Sequence, residues 1–162
     1  MGDTASATLA YGYDLGGGED GWKVEQAEDY EQPKVPWYDP ETEDEDEDED
    51  IIEAAERRLL ATLGGFTETD RHADGYRDRK KAAEKSLGVE FVMHGDRYST
   101  CYALATTTID VQAGDATPVN PAELSDPADL TRRDRRLADA LGALGLTPLE
   151  DRPRWLLLAY GS

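Results

Sequence analysis

Eight consecutive carboxylates, Glu43, Asp44, Glu45, Asp46, Glu47, Asp48, Glu49 and Asp50, form the densest concentration of chemistry in this 162-residue chain. Like charges in series repel, and Glu41 to Asp50 contains no apolar residue to bury, so an extended segment is predicted. Carboxylates on an extended chain recur about every 3.4 Å, close to the roughly 3.4 Å between phosphates along one DNA strand. Such a line of charge suits the basic groove of a nucleic-acid-binding protein. The competing reading is a solvated tether that aids solubility. A calcium loop needs Gly at its sixth position and a bidentate Glu at its twelfth. Starts at Thr42, Asp44 and Glu45 place Glu47, Glu49 and Asp50 at the sixth position, so no shaped metal site is expected.

The remaining chemistry-bearing residues are sparse. Cys101 is the single cysteine, which rules out an intrachain disulfide, and His72 and His94 are the two histidines. Val89 to His94 and Arg97 to Val111 are β-prone runs separated by Gly95-Asp96, the pattern of a hairpin with a type II′ turn. That turn sets Cys101 opposite Glu90 and His94 opposite Arg97, with about 14 Å of strand between thiol and imidazole. A Cys-His dyad needs reach of roughly 3 Å, so Cys101 is predicted to be a small buried thiol beside Ala103. No CxxC, HExxH or GxSxG spacing occurs, and no catalytic residue, metal ligand or cofactor is assigned. Gly16-Gly17-Gly18 follows a strand but lacks GxGxxG spacing. Glu19 and Asp20 beside it would repel a phosphate, so a plain loop is predicted.

Two basic stretches stand against the acidic run. One carries Arg77, Arg79, Lys80, Lys81 and Lys85; the other carries Arg132, Arg133, Arg135 and Arg136. Read alone they suggest a nucleic-acid face, with Arg77, Lys80, Lys81, Arg132, Arg133 and Arg136 as its residues. Asp70, Asp74, Asp78 and Glu84 interleave with the first, and Asp126, Asp129, Asp134 and Asp139 with the second. Mixed, solvated faces are therefore the plainer expectation. The first stripe is also a candidate intramolecular receptor for the acidic run, released by salt over a Debye length of about 8–10 Å. Trp37 and Tyr38, among Pro33, Pro36 and Pro40, either pack onto the domain or present a partner-facing knob.

The charge is unevenly distributed. Residues 1–50 hold 18 acids and 2 bases, a net of −16, while residues 51–162 hold 18 acids and 15 bases, a net of −3. The balance favours a basic protein as partner over direct contact with nucleic acid or an anionic membrane. No signal-like N-terminus is read, and the longest apolar run, Trp155 to Tyr160, is too short to cross a bilayer. A cytoplasmic protein is expected.

The elements that must position these groups are legible from periodicity. Thr8 to Tyr13 is predicted as a first strand and Trp22 to Gln26 as a short second one. Ile52, Ala55, Leu59 and Leu63 recur at helical spacing, with Ile51 and Leu60 widening the stripe and Gly64 or Gly65 as the stop. A second helix is predicted over Thr69 to Leu87, ended by Gly88. The hairpin puts Val89, Phe91 and Met93 on one face with Tyr98, Thr100, Tyr102 and Leu104; a four-residue loop would preserve that parity. Ala103 and Ala105, on the other face, leave room for a helix. Asn120-Pro121 marks a helical start, Asp126-Pro127 interrupts it, and a third main helix carries Leu130, Leu137, Leu141 and Leu144 to Gly145. Trp155 to Tyr160, apolar on both faces, is predicted as an interior strand.

Together these predict a single α+β domain, a mostly antiparallel sheet of about four to five strands with three helices packed on it. Residues 1–32 supply its N-terminal strands, 33–50 a proline-bordered acidic flexible segment, and 51–162 its main body. Leu9-Ala10-Tyr11-Gly12-Tyr13, Ile51 to Leu63 with its Glu-Ala-Ala-Glu start, and Gly88-Val89-Glu90-Phe91 followed by Tyr102-Ala103-Leu104-Ala105 resemble a family of small uncharacterised proteins of actinobacteria and their phages. The resemblance implies an accessory role on a mobile genome and brings no site residues. Three functional readings stand. One is a non-enzymatic acidic protein that engages or inhibits a basic partner. Another is a nucleic-acid binder autoinhibited by the acidic run. The third is a small enzyme whose site forms only in three dimensions.

Overall fold

The acidic run meets the fold at Asp50, whose carboxylate accepts the Glu53 backbone N–H at 2.8 Å and caps α1 (Ile51–Thr62). The computed structural model describes residues 5–28, 31–39 and 49–161, so Glu43 to Asp48 lie outside the described residues. The predicted stripe of α1 is buried at Ile51, Ile52, Ala55, Leu59 and Leu60. Leu63 departs from it: as the C-cap residue it is 44% exposed. Gly65, at φ +65°, supplies the left-handed turn that ends the helix.

Four strands form the sheet: β1 (Ala5–Gly16), β2 (Glu90–Asp96), β3 (Thr100–Gln112) and β4 (Arg154–Gly161). The order is β4-β1-β3-β2, with three antiparallel pairings. A parallel contact of two residue pairs, Gly95 with Tyr160 and Asp96 with Gly161, closes the sheet into a small barrel. The two Leu-Ala-Tyr-Gly segments at the chain's ends lie on adjacent strands, Leu9 pairing with Leu157 and Ser6 with Tyr160. Around the sheet stand α1, α2 (Tyr76–Leu87), a single-turn α3 (Pro121–Leu124) and α4 (Pro127–Leu144). This is the single α+β domain the pattern predicts, with four strands and three helices of substantial length among the described residues.

The sheet has two unlike faces. Its outer face sets Tyr11, Leu15 and Leu104 against Leu59, Leu137, Ala140 and Leu144 of the helices, forming the main core. Full burial of such a leucine contributes about 1.5–3 kcal/mol. Its inner face holds Ala10, Ala103, Ala105 and Leu158 in a second, smaller core. Ala103 and Ala105 thus leave room for strands rather than for the expected helix. A closed sheet narrows as strand number falls, so the small side chains of Ala10, Ala103 and Ala105 are what leave room for Leu158 between four strands. A bulge where Tyr11 pairs with Thr107 and Gly12 with Ala105 skips Thr106, whose hydroxyl donates to the Gly88 carbonyl at 2.6 Å. A Cβ on Gly12 would sit 1.8 Å from the Leu104 carbonyl oxygen, so close strand approach requires glycine there.

Several elements differ from expectation for identifiable reasons. The hairpin turn falls at Arg97-Tyr98 instead of Gly95-Asp96. The Asp96 carboxylate accepts the Tyr98 and Ser99 N–H groups at 2.8 and 2.9 Å, and Gly95 (φ +91°) kinks the strand before it. The shift is even, so face parity survives, with Phe91 opposite Leu104 and Met93 opposite Tyr102. Trp22 to Gln26 forms only the bridges Gly16 to Trp22 and Val24 to Pro148. The second helix begins at Tyr76, because Gly75 (φ +76°) is left-handed and the Asp70 carboxylate turns the chain by accepting the His72 N–H. Asp126 does not merely interrupt: it caps α4, accepting from Ala128 and Asp129 with Pro127 in the first turn. The β4 strand runs along a sheet edge except at its short contact with β2, and Leu157 is 83% exposed, so its double apolar character does not make it interior.

Candidate functional site

Asp50, Glu53 and Glu56 follow one another at intervals of three along α1, close enough on a helix surface to act on each other. Glu49, just before them, pairs with Arg57 at 2.9 Å. Their field is felt nearby. Burial pushes the Tyr102 hydroxyl's pKa up, and Asp50, Glu56 and Glu53 push it further. The Tyr38 hydroxyl is raised by burial, then by Asp50, Glu49 and Asp39. The C-terminal end of the acidic run is therefore anchored on the body and continued by the acids of α1.

That stripe leads to a groove of about 490 Å³ between α1, α2 and the start of β2. Leu59, Leu60, Val89 and Phe91 provide apolar walls, while Glu56 and Glu84 stand at the polar rim with Lys85. Glu90, between Val89 and Phe91 on β2, turns its carboxylate to the other face, where the Thr108 hydroxyl donates to it at 2.9 Å. Glu56 is exposed as a residue, yet the groove walls crowd its carboxyl. Desolvation raises its pKa, Glu84, Asp50 and Glu53 raise it further, and Lys80 offsets part of the effect. A carboxylate so placed receives a cation favourably. Sequence reading missed this groove because its walls come from three segments; the exposed Glu53 and Glu56 opposite the apolar stripe were the available signal.

Of the residues nominated from sequence, Glu49 and Asp50 lie at the start of α1 and Glu43 to Asp48 fall outside the described residues. Trp37 and Tyr38 pack onto the main core, and the Trp37 indole donates to the Leu144 carbonyl at 2.8 Å. The basic residues do not form one free face. Arg77 and Lys81 are exposed, and Lys80 is partly covered beside Glu56. Arg132 pairs with Asp129, and Arg136 lies against the Gly88 backbone. Arg133 turns inward: its Nε donates to Thr107 at 3.1 Å, its guanidinium lies 5.2 Å from the Trp155 ring centroid, and its buried Nη1 has no hydrogen-bond partner among the described residues. Tyr11, beside it, donates to Asp134 at 2.6 Å, and burial followed by that hydrogen bond pushes its pKa up to about 12.

At the opposite end of β2 the displaced turn corrects the separation expected for Cys101 and His94. The two are directly paired across the strands, not four residues apart. The His94 Nε2 lies 3.2 Å from Asp14 Oδ1, and Lys23 Nζ donates to Asp14 Oδ2 at 2.8 Å. A Cβ on Gly18 would approach the Cys101 sulfur to 2.7 Å, so the glycine turn folds tightly against the thiol. Burial raises the Asp14 pKa, but hydrogen bonds from Lys23 and the Gly16 amide, with the Lys23 and His94 charges, outweigh it and leave the carboxyl below its ordinary value. The network ties β1, β2 and the glycine turn together. Among the described residues, no group of three or more His, Cys, Asp or Glu side chains is arranged to hold a metal.

Comparison with protein-family models, with curated proteins and with solved structures returns no match. Among the described residues no helix is long and apolar enough to cross a membrane.

Proposed function

We propose that this chain is a non-enzymatic acidic interaction protein, working in the cytoplasm as an accessory of a phage or mobile element, that engages a basic, nucleic-acid-binding partner and occupies its nucleic-acid site. The observation that carries the reading is the net of −16 in residues 1–50 against −3 in the remainder. Two features support it. The run is delivered to the body at a capped helix start, and Glu53 and Glu56 prolong its charge along α1. The basic stretches of α2 and α4, by contrast, are offset by local carboxylates such as Glu68, which holds Arg79 at 2.6 Å, and Asp129.

The test removes residues 40–48, sparing Glu49 and the Asp50 cap, and measures binding to a Lys/Arg-rich peptide at low and high salt. Loss of binding with unchanged unfolding behaviour is expected, together with steep salt dependence in the intact chain. Equal binding by the truncated chain overturns the reading. New retention of DNA by the truncated chain would also overturn it, in favour of an autoinhibited nucleic-acid binder.

A further inference from the structure

The chemistry around the groove beside the anchored end of the acidic run narrows what it can hold. Its walls, Leu59, Leu60, Val89 and Phe91, favour an apolar side chain. Glu56 and Glu84 stand at its polar rim beside Lys85, and at Glu56 the combined field of Glu84, Asp50 and Glu53 exceeds the offset from Lys80, favouring a cationic flank. Neighbouring acids on α1 continue the same sign toward Asp50. The chain's own acidic run does not suit the groove, since Glu41 to Asp50 lacks apolar residues and carries the charge of Glu56 and Glu84. A second copy is opposed by a net charge of −19 on each molecule.

We propose that the groove between α1, α2 and β2 seats a large apolar side chain from a Lys/Arg-rich segment of the partner, so that the partner motif is a basic segment with an apolar anchor and not a uniformly basic one. The inference rests on the acidic-partner reading and adds its specificity. The acidic run draws in cationic segments of any sequence by long-range attraction, and the groove selects those whose apolar residue it can remove from water. Electrostatic attraction alone discriminates poorly between polycations, whereas an apolar pocket next to it distinguishes them by short-range fit. The crowded Glu56 carboxyl fits this role, since an arriving cation relieves its unfavourable surroundings.

The experiment uses the full chain and two synthetic peptides of equal length and charge, Lys/Arg-rich, one with a central Trp and one with Ser there. The Trp peptide is expected to bind about tenfold more tightly, the order that burial of one large apolar side chain supplies. That ratio should persist as salt rises while both affinities fall. Methyl resonances of Leu60 and Val89 should shift with the Trp peptide and not with the Ser peptide. A Glu56→Lys/Glu84→Lys double variant, both positions exposed, should weaken both peptides at least severalfold and leave that ratio unchanged. Equal affinities with unmoved methyls overturn this inference and leave the acidic-partner reading standing. Binding of neither peptide overturns both. A Trp advantage that shifts other methyls, or affinities that the double variant leaves unchanged, also overturns the assignment of this groove.

Discussion

Asp14 and Glu56 are both carboxylates partly withdrawn from water, and their surroundings drive them in opposite directions. Burial raises both. At Asp14 it is outweighed by Lys23 at 2.8 Å, the Gly16 amide at 3.0 Å and His94 at 3.2 Å, leaving a depressed pKa. At Glu56 it is reinforced by Glu84, Asp50 and Glu53, with Lys80 a partial offset, leaving a raised one. A carboxylate surrounded by donors holds a fold together. One surrounded by like charge has its compensation still to come, and that difference separates the structural network at one end of β2 from the candidate interface at the other.

The contrast is broken most strongly at Asp14. Asp14→Ala strips Lys23 and His94 of their shared acceptor and is expected to cost about 1.5–3 kcal/mol, toward the lower end because Lys23 is partly solvated. Denaturant unfolding of this variant and of the double variant with Lys23→Ala should show a positive coupling; additive losses would dissolve the network. Because the folded pKa of Asp14 is depressed, its contribution is present above the ordinary carboxylate value and lost as pH falls through the lower folded value. Asp14→Asn should therefore flatten the acid limb of the stability profile.

A smaller effect is expected at the junction of run and helix. Asp50→Ala removes the cap bond to the Glu53 N–H, at a cost of about 1 kcal/mol, while deletion of 40–48 should leave stability unchanged. An equal loss from both would assign the run a structural part. The smallest effect is at Glu56. Its folded pKa is raised, so stability declines as pH rises from the ordinary glutamate value through the folded one. Glu56→Gln should remove that decline and stabilise the neutral protein by roughly 0.5 kcal/mol or less. A loss of stability would show that Glu56 is satisfied in the free chain and would erase the contrast with Asp14.

Much of this is legible in the sequence alone. The stripe Ile52, Ala55, Leu59 and the stop at Gly64-Gly65 placed α1, and Asn120-Pro121, Asp126-Pro127 and Gly145 bracketed the C-terminal helices, because caps and stops are local chemistry. Hairpin parity was legible too, since period two survives any even shift. The turn position was not. Asp96 accepts two amides beyond it and moves the turn by two residues, which carries Cys101 from Glu90 to His94. The length of α2 was overread for a similar reason: a glycine within a helical pattern does not announce a left-handed φ.

Composition and order determined most of the helices and strands, the charge asymmetry and the pairing of faces, all of which depend on neighbours within a few residues or on simple counts. Tertiary structure alone decided which way Arg133 turns, that Ala103 and Ala105 meet other strands inside a narrow barrel, and that Glu56 and Glu84 converge on one apolar groove. Those outcomes depend on distances between segments tens of residues apart. Such distances are set by how the whole sheet closes and how the helices settle on it, and no local spacing encodes them.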